Sequence, residues 1–199
     1  VPKVVDRAER KREIAAALLT LVAREGIEAV SIRTVAAEAG ISAGAVQKYF
    51  ATKEELLREA FDLTGLALVE RWRELDTTGS ILDVLRRHIH AALPLDEPSR
   101  SELLVVLVFT AQAVTRPEWV DKLREDYAWT VDVTTQFIRY GQDNGEFRAE
   151  LPAERLAEVV IALTEGIASR MLHAEPGGEV HTGLLSSLDL ALRELLIPR

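Results

Sequence analysis

The chain has 199 residues, is 48% hydrophobic, carries a formal net charge of −8 and contains no cysteine. That is enough apolar material for one large domain or for a small domain joined to a larger one. It excludes a disulfide framework and a thiolate metal site, and it suits a reducing cytoplasm. The longest apolar run, LLVVLVF at 103–109, is too short to span a bilayer. The charged start VPKVVDRAERKRE lacks the apolar stretch of a secretory leader. The expected location is cytoplasmic, with no membrane partner.

A 3.6-residue period dominates, and no alternating run is long enough to force a sheet. Ile14, Leu18, Leu21 and Val22 form one stripe, ending near Gly26. Ser31 opens a short segment with Val35 and Ala36 inward, stopped by Gly40, and Ser42 opens another that reaches Phe50. Thr52 and Glu55 have capping-box spacing and start a long helix expected to run to about residues 77–79. Ile81, Leu85, Ile89 and Leu93 form the next stripe. Ser99 and Glu102 read as a second capping box, opening a buried helix to Thr115. Pro117 stands just inside the next start, and that helix is expected to end at Asn144 and Gly145. Pro152 opens the following one, residues 173–180 read as a loop, and a leucine stripe from Leu184 to Leu196 closes the chain. The expectation is an all-α protein of about nine helices, three short and six mostly longer.

Charge divides at the same place as helix length. Residues 1–50 hold eight Lys or Arg against six acids, a net +2, which leaves −10 for the remainder. A mildly basic end on an acidic body suggests that this end meets a polyanion. The division expected falls at residue 50, between a small domain at 1–50, with residues 1–6 a flexible arm, and a larger one at 51–199.

The segment GISAGAVQKYF at 40–50 carries that idea furthest. Gly40 supplies a turn with positive φ, and Ala36 lets two short helices cross closely, which is helix-turn-helix spacing. With Val46 and Phe50 kept for the core, the second helix shows Ala43, Gly44, Gln47 and Lys48 outward. Small residues let its backbone lie deep in a groove. A Gln amide can donate and accept in one plane, the geometry that suits adenine in the major groove. Lys48, Tyr49 and Lys53 can reach phosphates or base edges.

The stretch SIRTVAAEAGISAGAVQKYFATKEELL at 31–57 resembles the DNA-binding region of the TetR family of bacterial transcriptional regulators. The matching features are Gly40, the Tyr49-Phe50 pair, Thr52 and Lys53-Glu54, and the likeness covers roughly residues 10–57. It implies a homodimer with each third helix in the major groove of a palindromic operator. It also implies that residues 1–50 form the DNA-binding domain and 51–199 the ligand-binding and dimerisation domain, with repression relieved by a small molecule bound in the latter. Carried over position by position, the DNA contacts fall on Ser42, Ala43, Gly44, Gln47, Lys48, Tyr49 and Lys53, with Ser31, Arg33 and Thr34 flanking the phosphates. Two positions depart from the family pattern. Ala45 stands where a hydroxyl is common and Gln47 where an aromatic is common, so an operator sequence does not transfer.

The stripes Leu156, Val159, Val160, Leu163, Ile167 and Leu184, Leu188, Leu192, Leu195 are the expected dimer face, as a four-helix bundle. By the same resemblance an effector site lies among the helices from residue 56 to 172. Trp72, Phe109, Trp119, Trp129, Phe137 and Met171 could line it, with Gln112, Thr115, Gln136 or Glu165 supplying polarity for a largely apolar ligand.

No catalytic site, metal site or cofactor is expected. Of the four histidines, His88, His90, His173 and His181, the first two stand two apart on a helix and diverge, and no H-E-x-x-H, phosphate loop or nucleophile elbow occurs. A helical interaction protein that keeps the helix-turn-helix only as a fold element is the alternative, followed by an enzyme whose site assembles in space. Activation and repression are not distinguished by these residues.

Overall fold

The computed structural model describes residues 7–198; the expected arm at 1–6 lies outside them. Among the described residues there are nine α-helices and no strand: α1 Arg7–Glu25, α2 Ile32–Glu38, α3 Ala43–Gln47, α4 Lys53–Arg73, α5 Ile81–Ala91, α6 Glu97–Ala113, α7 Pro117–Asp143, α8 Ala153–Met171 and α9 Glu179–Leu196. A 3-10 turn, Ile27–Ala29, joins α1 to α2. None of these helices is long and apolar enough to cross a membrane.

Several boundaries differ from expectation for local reasons. Ser99 does not open α6. Asp96 does: its carboxylate accepts from the Ser99 amide (2.8 Å) while the Ser99 hydroxyl accepts from the Asp96 amide (3.2 Å), so the reciprocal cap sits three residues upstream. Ser101 instead bonds back to the Glu97 carbonyl (2.9 Å). Started this way, LLVVLVF continues as helix despite its branched residues, burying Val105 and Phe109. At the other extreme α4 stops at Arg73. Asp76 there accepts from both the Thr78 amide and its hydroxyl (2.9 and 2.8 Å), a side-chain turn that competes with helix.

The chain forms two compact units: residues through Glu70 together with Asp96–Gln112, and Arg71–Leu95 together with Ala113 onward. These cut the chain differently from a line at residue 50. In the first unit α1 packs on α2 and α2 on α3, around Ile14, Leu18, Val35, Val46 and Phe50, none more than 1% exposed. Phe61 of α4 stacks on Phe109 of α6, centroids 4.1 Å apart, which places both long helices with the short ones.

In the second unit α7 packs on α8, α8 on α9, and α5 on both α7 and α9. The loop after α7 is tied down at two points. The Arg148 amide donates to the Leu196 carbonyl (2.8 Å), and Glu146 accepts from the Ile81 amide (2.7 Å), capping α5. Gly141 is required by packing: a Cβ built there would fall 2.2 Å from the Phe147 ring.

Candidate nucleic-acid interface

The turn between α2 and α3 is built as a helix C-cap. The Ile41 amide donates to the Ala36 carbonyl (3.0 Å) and the Gly40 amide to Ala37 (3.2 Å), the paired bonds of a Schellman motif. Gly40 sits at φ +66 with nothing near its missing Cβ, so its role is conformational. Ser42 then caps α3, its hydroxyl accepting from the Ala45 amide (3.1 Å). Val46 anchors α3 with no exposure.

This anchoring leaves Gly44, Gln47 and Lys48 exposed and Ala43, Ala45 and Tyr49 half-buried. A Cβ on Gly44 would meet only the Ser42 hydroxyl, at 4.0 Å, and its φ is not in the left-handed region. The protein's own packing therefore does not require a glycine there. Lys53 is the first residue of α4, directly after Thr52, whose hydroxyl accepts from the Glu55 amide (3.2 Å). Glu55 reaches back past the cap to the Ala51 amide (2.7 Å).

Ser31 and Thr34 are committed to the start of α2. Each accepts from the other's amide (3.1 and 2.9 Å), and the Thr34 hydroxyl also donates to the Ala29 carbonyl (2.7 Å). Arg33 between them is exposed.

Only some cations of this unit are paired. Arg24 bonds Glu38 (2.6 Å) and Glu25 (3.0 Å), Arg10 bonds Glu13 (2.7 Å) and Lys11 bonds Glu59 (3.4 Å). Arg33, Lys48 and Lys53 have no ion-pair partner among the described residues, and neither do Arg12 of α1 and Arg58 of α4. The Arg7 guanidinium lies over the Tyr49 ring, 6.0 Å from its centroid, and so brings a further cation beside the end of α3.

The expected effector residues separate. Phe109 and Gln112 belong to the first unit, and Trp72, Thr115, Trp119, Trp129, Gln136, Phe137, Glu165 and Met171 to the second. Phe109 and Met171 have no exposure and Trp119 has 5%, so all three are core. Trp72 and Phe137 flank a residue the sequence did not single out for this role, His88, and Trp129 joins them through Trp72. Trp72 stacks on Trp129 (centroids 5.8 Å), and His88 lies 5.8 Å from Trp72 and 4.9 Å from Phe137. The Trp72 indole N–H donates to the His88 carbonyl (2.9 Å). The edge position of His88 on the Ile81–Leu85–Ile89 stripe was the available signal.

The two leucine stripes also divide. Leu156, Val160, Leu184, Leu188 and Leu192 are buried in the chain's own core; their side chains cannot also form an outer face. Val159 is 44% exposed, Leu163, Ile167 and Leu195 are half-buried, and Gly166, Gly183 and Ser186 are exposed beside them. Leu190 is exposed too, at 61%.

Residues 14–60 match the family model described as bacterial regulatory proteins, tetR family, and residues 82–189 match the one described as BetI-type transcriptional repressor, C-terminal. The chain is 27% identical over 179 residues to the HTH-type transcriptional regulator PksA of Bacillus subtilis, covering 87% of this chain and 82% of that one. It is 29% identical over 154 residues to the HTH-type transcriptional repressor KstR2 of Mycolicibacterium smegmatis, covering 66% and 75%. Among solved structures, a regulator from Saccharomonospora viridis in complex with choline superposes with a TM-score of 0.83 at 27% identity, covering 96% of this chain and all of that one.

Proposed function

The chain belongs to the TetR family of bacterial regulatory proteins and is a DNA-binding transcriptional regulator, and from that premise we propose how it reads DNA and how it is released. It binds a palindromic operator as a homodimer, α3 of each subunit lying in the major groove, and represses until a small molecule binds the segment after residue 50. Gln47 reads a base, with adenine the best geometric match. Arg33, Lys48, Tyr49 and Lys53 hold the phosphates, and Ser42, Ala43 and Gly44 let the helix approach. The observation that carries this reading is the exposed face of α3, with Gly44, Gln47 and Lys48 outward and no demand of the protein's own packing for glycine at 44. Arg33, Lys48 and Lys53 beside it have no ion-pair partner among the described residues and are available to phosphates.

For the dimer, the outward flanks of α8 and α9 are the proposed face: Val159, Leu163 and Gly166 with Gly183, Ser186 and Leu190. Small residues let helices approach closely, and two recognition helices need a symmetric mount about 34–36 Å apart. For the effector, the Trp72–His88–Trp129–Phe137 cluster is the proposed contact. Quaternary ammonium groups bind over aromatic faces, so choline, seen in the Saccharomonospora viridis neighbour, belongs in a ligand panel beside apolar compounds. An effector acts only if it binds the DNA-incompetent state more tightly.

Selection of bound duplexes from a random pool tests the reading in one step. The expected product is a palindrome whose half-sites stand about one helical turn apart or a multiple of it. Gln47→Ala is expected to cost about 1–3 kcal/mol on that site and to relax one base position. A pool that yields no enriched sequence, or a protein that sediments as a monomer at micromolar concentration, would overturn the proposal.

A further inference from the structure

Along the outer side of α7 and α8 runs a groove of about 540 Å³ that neither the DNA face nor the aromatic cluster uses. Its floor is aliphatic, from Ala128, Val131, Ile161 and Ala162, and its polar lining is mostly acidic. One ion pair marks the antiparallel register: Arg139 meets Glu154 at one end of the groove, and Tyr127 and Glu165 line the other end. One turn in from that ion pair, the register sets Thr135 opposite Glu158.

Thr135 is 4% exposed, its hydroxyl oxygen is buried, and that oxygen meets no hydrogen-bond partner among the described residues. A buried hydroxyl without a partner is unfavourable, and here it belongs to a residue that lines a groove. Glu158 carries no ion pair among the described residues. Glu165 is exposed as a residue, but local desolvation of its carboxylate raises its pKa above the ordinary carboxylate value, with Tyr127 acting the other way. An added cation would relieve it. Glu158 and Glu165 are two helical turns apart on one face, about 10 Å along the axis.

We propose that this groove binds a linear aliphatic polyamine: one ammonium between Glu165 and Tyr127, a second between Glu158 and the Thr135 hydroxyl, and the methylene chain on the Ala128, Val131, Ile161 and Ala162 floor. An ammonium supplies the N–H donors that both carboxylates and the hydroxyl can accept. A quaternary ammonium supplies none, so the site differs in chemistry from an aromatic one. The proposal does not depend on DNA release, and its test contains no DNA.

Spermidine titrated into the full chain by calorimetry, at low salt, is the direct measurement. Saturable binding is expected, weakened at least fivefold by Glu158→Gln and by Glu165→Gln and more by the double variant, with Thr135→Val also weaker. Choline is expected to compete poorly. Glu118→Gln, on an exposed acid outside the groove, is expected to change nothing, and thermal unfolding confirms that each variant is folded. No heat at millimolar spermidine overturns the proposal. So does equal weakening by Glu118→Gln, which would mean general attraction to an acidic protein. A change of sedimentation coefficient in the Glu158 and Glu165 variants would also overturn it, because the groove would then be a subunit contact.

Discussion

Gly44→Ala separates what the fold needs from what DNA needs at one position. In the free protein the added methyl would meet only the Ser42 hydroxyl, at 4.0 Å, an ordinary contact, and φ at this residue needs no glycine. Alanine also restricts the unfolded chain. In a helix interior that exchange is worth about 0.8–1 kcal/mol; in the first turn of the five-residue α3 about half of that is expected. For a chain of this length 0.5 kcal/mol corresponds to a Tm rise of about 1–2 °C. On DNA the sign reverses. The exposed backbone at Gly44 is the proposed point of closest approach, and a methyl there holds α3 away from the groove floor. A loss of at least about tenfold in affinity, or about 1.4 kcal/mol, is expected on the selected operator. Fluorescence anisotropy with that duplex, alongside thermal unfolding of the same preparation, reads both effects. Unchanged affinity would refute the close approach. A lowered Tm would refute the claim that the protein leaves this space open.

Four other outcomes follow from named contacts. Lys53→Ala should weaken binding to all sequences alike and flatten the salt dependence by about one unit per subunit; an unchanged slope would remove Lys53 from the phosphates. Gly40→Ala should lower stability by about 1–2 kcal/mol through its positive φ alone, and Gly40→Asn by less, as urea midpoints would show. Gly141→Ala should cost about 1–3 kcal/mol by overpacking, because Phe147 is only 2% exposed and its ring has little room to retreat; an unchanged midpoint would contradict that packing. Glu165→Gln should raise Tm at neutral pH. The folded-state pKa of Glu165 lies above the ordinary 4.5, so the folded chain holds this proton more tightly and its ionisation opposes folding. The advantage of Gln should fade as pH falls through the raised pKa, and be gone at about pH 4; a gain equal at both pH values would contradict the assigned cause.

The helix-turn-helix was legible in the residues because its determinants are local. Ser31 and Ser42 each cap within three residues, Gly40 sets its own φ, and Val46 and Phe50 face inward by helical period. Ser99 has cap spacing although Asp96 caps α6, and the helix forms all the same, since the apolar run outlasts any one terminus. Periodicity marks an apolar stripe but does not say what covers it. Only the packed structure decided that Leu156, Val160, Leu184, Leu188 and Leu192 serve the chain's own core while Val159 and Leu190 do not. Only it joined Phe61 to Phe109, set His88 between Trp72 and Phe137, and paired Arg139 with Glu154. Those meetings link residues on different helices, and their free energy comes from burial and pairing across the fold, which neighbouring residues in the chain do not encode.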